Sequence, residues 1–168
     1  MAAKSKTVAD ELWMEEALRE GLRAELMGEV PVGAVVVCEG KLVGRGANRN
    51  LADADPSSHA EIVALREAAR RLGNHRLGDC EVFVTIEPCA MCAGALVLAR
   101  VKRLVYGADD PKAGAVRSVL QVLNHPKLNH QMKVKSGVLE GRCSAALQAF
   151  FQKRRQEQKP ETKEIKAG

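Results

Sequence analysis

Met14, Leu18 and Leu22 recur at helical spacing while glutamates and arginines take the opposite side, which predicts a helix over residues 10–27. The period then changes. Residues 33–38 form a short Val-rich run, Glu39-Gly40 offers a turn and Leu42-Val43 a second strand, so a β-hairpin is expected. Beyond the polar loop 48–57, residues 59–72 place Ile62, Leu65, Ala69 and Leu72 on one helical face. Residues 81–86 read as a third strand. Pro88 stands where a helix begins that runs through Met91, Leu96 and Val101 and is apolar nearly all round. Such a helix must be covered on more than one side, in a core or at a subunit interface. A fourth strand is expected over 104–106, a helix over 116–123, a fifth strand over 132–135, and a terminal helix over 143–156 that fades into charged residues. Helices interleaved with strands after the hairpin imply an α/β sandwich with a partly parallel sheet, because parallel neighbours need a crossover of a dozen or more residues. The sequence contains no internal repeat.

A chain of 168 residues is long enough for one domain with a single core. That domain is expected over residues 10–156, with a flexible tail at 1–9 and a charged, frayed one at 157–168. At 46% hydrophobic and 28% charged residues the composition excludes a disordered or collagen-like chain. No run approaches about 18 consecutive apolar residues, and the start Met-Ala-Ala-Lys-Ser-Lys lacks the apolar centre of a signal peptide. A cytoplasmic protein with no membrane span is therefore the default. Five cysteines, an odd number, argue against a disulfide framework and make metal binding the better reading of a close pair. Charge is uneven: residues 1–99 carry 11 basic and 15 acidic side chains, whereas 100–168 carry 15 and 6. The basic second half suits a polyanionic partner, although a solvated basic face is the plainer explanation.

The chemistry lies in two short segments, His59-Ala-Glu61 and Pro88-Cys-Ala-Met-Cys92, each where the chain enters a helix. Zinc favours imidazole and thiolate, and two cysteines separated by two residues at a helix start can turn both sulfurs to one ion. The helix's free amides and positive end favour the thiolate. Cys38, Cys80, Cys143, His75, His125 and His130 include no second close ligand pair. His59, Cys89 and Cys92 thus leave a position for water, whose pKa a bound zinc can lower from about 16 to roughly 7. Glu61, two residues from His59, is placed to touch that water and to act as the proton carrier. Its bland alternative is a helix cap, since Ser58-His-Ala-Glu61 fits the Ser-x-x-Glu capping box. Cys89 and Cys92 alone could be buried small residues, and His59 a satisfied surface histidine. The order His-x-Glu then Pro-Cys-x-x-Cys matches the zinc-deaminase signature, and a redox reading of Cys-x-x-Cys would leave His-x-Glu unexplained.

Further segments carry a resemblance: Glu29-Val-Pro-Val-Gly-Ala, Asn48-Arg49, Asp55-Pro-Ser-Ser-His-Ala-Glu-Ile62, Glu87-Pro-Cys-Ala-Met-Cys-Ala-Gly94, Gly107-Ala-Asp-Asp-Pro-Lys-Ala-Gly114, His125-Pro-Lys-Leu-Asn-His130 and Phe150-Phe151. From about Asp10 to Arg155 the sequence resembles the bacterial tRNA-specific adenosine deaminases of the cytidine/deoxycytidylate deaminase superfamily, which convert a wobble adenosine to inosine. The resemblance implies a three-layer α/β/α cytidine-deaminase-like fold with a five-stranded mixed sheet, one Zn2+ per subunit, a homodimer, and a tRNA anticodon stem-loop as partner. It implies that Asn48 hydrogen-bonds the inserted base, where a loop asparagine would otherwise be the plain reading, and that Asp110 lies near the ribose. An aspartate before Pro111 is equally natural in a turn. Phe150 and Phe151, followed by Arg154 and Arg155, join aromatics to cations as RNA binding requires, with one ring expected in the core and one free to stack. The chain departs from the usual family wording at Ser57-Ser58 and at Asp109, neither of which touches the proposed ligands.

Two other functions fit the residues less well. A deaminase of free guanine, cytosine or cytidine would need no RNA groove, and the basic second half with Phe-Phe-Gln-Lys-Arg-Arg speaks for RNA. A noncatalytic zinc-stabilised RNA-binding module would have no use for Glu61.

Overall fold

The structure, a computed structural model, describes residues 2–158. Helix α1 spans Ala2–Leu26 and so begins well before residue 10. Residues 2–9 contain neither glycine nor proline and include three alanines and two lysines, so nothing stops the helix from extending backwards. Residues 2–9 of the tail expected to be flexible are thus helical. Gly28 in the left-handed region (φ 77°) ends the turn that follows α1.

The hairpin is β1 (Gly33–Cys38) and β2 (Lys41–Ala47). Helix α2 (Asn50–Asp53) is a single turn inside what the sequence presents as a polar loop, followed by α3 (Ala60–Leu72), β3 (Cys80–Ile86), α4 (Ala90–Leu98), β4 (Arg103–Ala108), β5 (Lys133–Lys135) and α5 (Glu140–Glu157). The sheet order is β2-β1-β3-β4-β5, antiparallel on the hairpin side and parallel from β3 to β5. Residues 159–168 of the expected charged tail lie outside the described residues.

Both faces of the sheet are covered, so alternate strand residues enter two separate cores. Val36, Val82, Val84, Leu104 and Tyr106 pack with Ala64, Ala68 and Leu96 of α3 and α4. Val35, Val37, Phe83 and Val105 pack with Met14 and Ala17 of α1 and Cys143 of α5. This is the three-layer α/β/α architecture with a five-stranded mixed sheet. An ion cluster centred on the buried pair Asp10 and Arg103 fastens α1 to the sheet: Arg103 donates to both carboxylate oxygens of Asp10 (2.8 and 2.6 Å) and to Glu81 (2.6 Å), while the part-exposed Lys135 reaches Asp10 at 2.7 Å. All five cysteines are free thiols.

The predicted helix over 116–123 does not form. The backbone N–H groups of Val116, Arg117 and Ser118 donate to the Glu87 carboxylate, and those of Val119 and Leu120 to the Gly114 carbonyl. With those amides engaged elsewhere, the segment is a run of turns leading to a 3-10 turn at Val122–Asn124.

Helix α3 crosses β2 at near-backbone contact. A Cβ at Gly46 would overlap the Ala60 carbonyl oxygen at the start of α3. Gly46→Ala should therefore force apart the helix and strand, destabilising the protein by about 1–3 kcal/mol. Urea unfolding checks this, with a midpoint equal to the parent's counting against the close contact.

Candidate active site

Two helix starts meet at the carboxyl end of β3. His59 precedes α3 in extended conformation (φ −73°, ψ 153°), and Cys89 precedes α4 likewise (φ −72°, ψ 174°), so neither side chain is held back in a helical turn. Cys92, in the first turn of α4, is fully buried. The Nδ1 of His59 lies 3.6 Å from the sulfurs of both Cys89 and Cys92, and the three ligand atoms all fall within 4.8 Å of one another. Tetrahedral zinc with ordinary bond lengths sets nitrogen and sulfur about 3.5 Å apart, so the residues fit that ion. Among the described residues no fourth His, Cys, Asp or Glu joins the group. Three protein ligands are the count of a catalytic site rather than a structural one.

In the metal-free protein, the hydrogen bond between Cys89 and Cys92 pushes the two thiols in opposite directions. The Cys89 thiol is brought down to about 3 by the hydrogen bond from Cys92 and then by His59. Cys92 is pushed up by that same bond to Cys89 and by burial, and His59 is raised chiefly by its contact with Cys89. A bound cation would take the place of the Cys92 proton, since metal binding releases protons from thiols.

Glu61 is buried at 3% exposure, and loss of hydration pushes its carboxyl above the usual range, its own backbone N–H and His59 acting the other way. It does not cap its helix. The Ser58 hydroxyl instead donates to Asp53 (3.0 Å) and Asp55 (3.3 Å), so the capping box is not formed. The first amide of α3, Ala60 N–H, donates to Asn48 Oδ1 at 2.9 Å. That bond fixes which way the Asn48 amide points and leaves its Nδ2 as a donor for an occupant of the adjoining cavity. The cavity, about 550 Å³, is lined by Asn48, His59, Glu61 and Cys89 on one side and by residues 109–113 and α5 on the other. It joins a metal-ligand cluster, a buried carboxyl and a fixed amide donor in a space of small-molecule size.

The MafB19-like deaminase family matches residues 8–155. A tRNA-specific adenosine deaminase of Haemophilus influenzae is 46% identical over 167 residues, covering 99% of this chain and 96% of the relative. The chain belongs to the tRNA-specific adenosine deaminases. A solved structure from work on A-to-I editing by tRNA:A34 deaminases at the wobble position superposes with a TM-score of 0.78 at 43% identity, covering 80% of this chain and 98% of that one. A guanine deaminase from Nitrosomonas europaea is more distant, at a TM-score of 0.69 and 26% identity, with 83% of each chain covered.

Within this deaminase the structure brings Asn48, His59, Glu61, Cys89, Asp110, Phe151 and Arg155 to one cavity. Phe150 and Arg154 lie apart from it. Phe150 is buried, and Phe151 meets it edge-on at 5.4 Å while staying 45% exposed. Arg154 lies 5.2 Å over the Phe150 ring and donates to the Gly28 carbonyl at 2.7 Å, tying α5 to the turn after α1. The terminal aromatics and cations thus divide by helical face, one pair holding the helix down and one facing the cavity. Asp110 accepts from Lys112 and Ala113 N–H at 2.9 and 3.1 Å, so it shapes its turn as well as lining the cavity. Asp109 is paired with Arg117 through two hydrogen bonds (3.1 and 2.8 Å), which balances the acidic residue at that rim.

Three lining residues of α5, Ser144, Leu147 and Gln148, were not singled out from the sequence. With Phe151 and Arg155 they follow helical spacing, which was the available signal. Glu87 was also missed as an individual residue. Burial raises its carboxyl, but the Arg117 N–H, the Ser118 hydroxyl and further amides outweigh that and bring it to about 2.

Proposed function

We propose that this deaminase hydrolyses the wobble adenosine of a tRNA anticodon to inosine and releases ammonia, with zinc held by His59, Cys89 and Cys92 and with Glu61 carrying protons. The observation that supports this most is the placement of the buried Glu61 carboxyl beside a three-ligand cluster in a cavity that Asn48 also lines. When bound, zinc would supply the Lewis-acid charge that makes water a nucleophile near neutral pH. Glu61 accepts a proton from the attacking water and delivers it to the ring nitrogen beside the amine-bearing carbon, then takes the proton of the new hydroxyl on that carbon and passes it to the amine, which departs as ammonia while the carbonyl forms. Asn48 Nδ2 donates to the inserted base and holds its ring against Glu61. Because a base must leave its stack to enter such a cavity, an anticodon loop is a suitable substrate.

Asp110 is assigned to the ribose, and Phe151 and Arg155 to the neighbouring RNA. Phe151→Ala should weaken binding of an anticodon stem-loop by about 5-fold to 140-fold, the value of one stacked base. Phe150→Ala should instead lower stability by about 3–5 kcal/mol through lost packing. Binding titrations and urea unfolding on both variants separate the two, and equal affinity for the parent and Phe151→Ala would remove that ring from the RNA site.

We also assign a homodimer. Exposed Met91 and Leu98 lie on α4, with Val119 and Leu120 just ahead of the 3-10 turn that packs on it, an apolar set that a second copy would cover. No described helix is long and apolar enough to cross a membrane, and action on tRNA supports a cytoplasmic assignment.

The deciding assay offers an anticodon stem-loop with adenosine at the wobble position beside free adenosine, cytidine and guanine, with metal content measured on the same sample. Inosine in the RNA alone supports the reading. A cavity of about 550 Å³ would also admit a free base, so turnover of guanine alone would shift the assignment to free-base deamination.

A further inference from the structure

Glu87 carries no role in the chemistry above, yet it is 1% exposed and its carboxylate is surrounded by donors. Oε1 accepts from the backbone N–H groups of Val116 (3.0 Å), Arg117 (2.7 Å) and Ser118 (2.9 Å). Oε2 accepts from Asp110 N–H at 3.0 Å and from the Ser118 hydroxyl. All five donors come from residues 110–118, a segment without regular helix or strand. The same segment is latched to the turn that Glu87 begins: Ala115 N–H donates to the Pro88 carbonyl at 2.8 Å, and Gly114 forms an isolated antiparallel bridge with Cys89. Gly114 sits so close that a Cβ there would overlap the Glu87 carboxylate.

This arrangement reverses the usual relation between a carboxylate and a loop. Buried backbone amides need acceptors, and a short segment that forms neither helix nor sheet must find them elsewhere. One side chain, fixed at the end of β3, supplies them. Asp110, Lys112 and Ala113 of the segment line the catalytic cavity, while Glu87 stands two residues before the ligand Cys89. The distance from the ligand cluster to the opposite cavity wall is therefore set through Glu87.

We infer that Glu87 is a positioning residue for substrate: it ties the cavity wall formed by residues 109–113 to the turn carrying Cys89, so that the inserted base meets a preformed site. The inference rests on the reading of this cavity as the place where the base is deaminated. Its two oxygens have separable duties. Oε1 holds the far end of the segment at 116–118, and Oε2 holds the near end at Asp110.

Glu87→Gln tests this, because a glutamine can keep its oxygen on the three amides at 116–118 but must turn an NH2 group toward the Asp110 N–H. Relative to the parent, KM should rise about 10-fold and kcat change less than about threefold, as for lost positioning rather than lost chemistry. Metal content should hold and the melting midpoint should fall while the variant stays folded, because the ionised carboxylate and the Asp110 bond are both lost, and hydrogen exchange should speed up at Asp110 more than at Val116. Glu87→Ala should raise KM further and release both ends of the segment. If that variant fails to fold, Ser118→Ala, which removes one Oε2 donor, should raise KM about twofold to threefold with faster exchange at Asp110. An unchanged KM in folded, metal-loaded Glu87→Gln would overturn the inference, as would a KM rise that follows metal loss or uniformly faster exchange. Kinetics are read on whichever substrate the parent deaminates, so failure of the tRNA assignment and failure of the Glu87 role give different results.

Discussion

Glu61→Gln is expected to lower turnover of an anticodon stem-loop by about 100-fold to 10,000-fold or more, with metal content and fold retained. The amide keeps the size and one acceptor of the carboxyl but cannot accept and return a proton at each stage of the reaction. The structure also predicts an effect on stability that a purely catalytic assignment would not. Burial raises the Glu61 carboxyl above its ordinary value of 4.5 in the folded, metal-free protein. A folded-state pKa above the unfolded value means that the native state binds the proton more tightly. Stability is then greatest below the ordinary carboxylate range and falls as pH rises through the folded pKa. Glutamine has no such titration. Metal-free Glu61→Gln should therefore be more stable than the metal-free parent at neutral pH, with the advantage disappearing in acid. Quenched assays and urea unfolding across pH check the two halves. Parent-like turnover in the variant would remove Glu61 as the proton carrier.

The reason Glu61 could be singled out from the sequence is that its chemistry and its local geometry are both short-range. His59 and Glu61 are two residues apart, Cys89 and Cys92 three, and each pair starts a helix, the first announced by its apolar spacing and the second by Pro88 and an unbroken apolar run. The alternation of Val35, Val36 and Val37, and of Val82, Phe83 and Val84, likewise leads to two cores on opposite faces of one sheet. What was not legible depends on distant partners. Residues 116–123 carry a helix-like apolar pattern, but Glu87, about thirty residues earlier, takes the amides that a helix would have used. Phe150 and Phe151 are neighbours in sequence with opposite surroundings, and only the path of α5 past Gly28 decides which of Arg154 and Arg155 turns toward the cavity. Asn48 shows the same dependence: its amide oxygen is committed to Ala60, twelve residues on, and this leaves the opposite end of the amide for substrate.

Cys92→Ala is expected to abolish both metal retention and turnover, and the two losses should track each other through any partial reloading. Cys92 is fully buried and its sulfur sits within hydrogen-bonding reach of Cys89, His59 and Glu61, so no water-exposed group can move in to replace it. Removing it leaves two ligands, too few to hold zinc firmly. It also strips Cys89 of the hydrogen bond that contributes most to its low pKa. Cys143→Ala is the control, because that thiol is buried too but projects from α5 into the core on the opposite face of the sheet, outside the ligand group. It should lose some packing and keep its metal. The metal-loaded parent should unfold at a higher temperature than its chelated form, by the mass-action stabilisation that any native-state ligand gives, about 4 kcal/mol at a thousandfold excess over Kd. That difference should vanish in Cys92→Ala and persist in Cys143→Ala. Stoichiometric metal in folded Cys92→Ala would mean that the ion is held elsewhere and that His59, Cys89 and Cys92 meet for packing. Metal loss with turnover intact would separate the ion from the reaction and leave Glu61 to act on water alone, a far weaker route to displacing an aromatic amine.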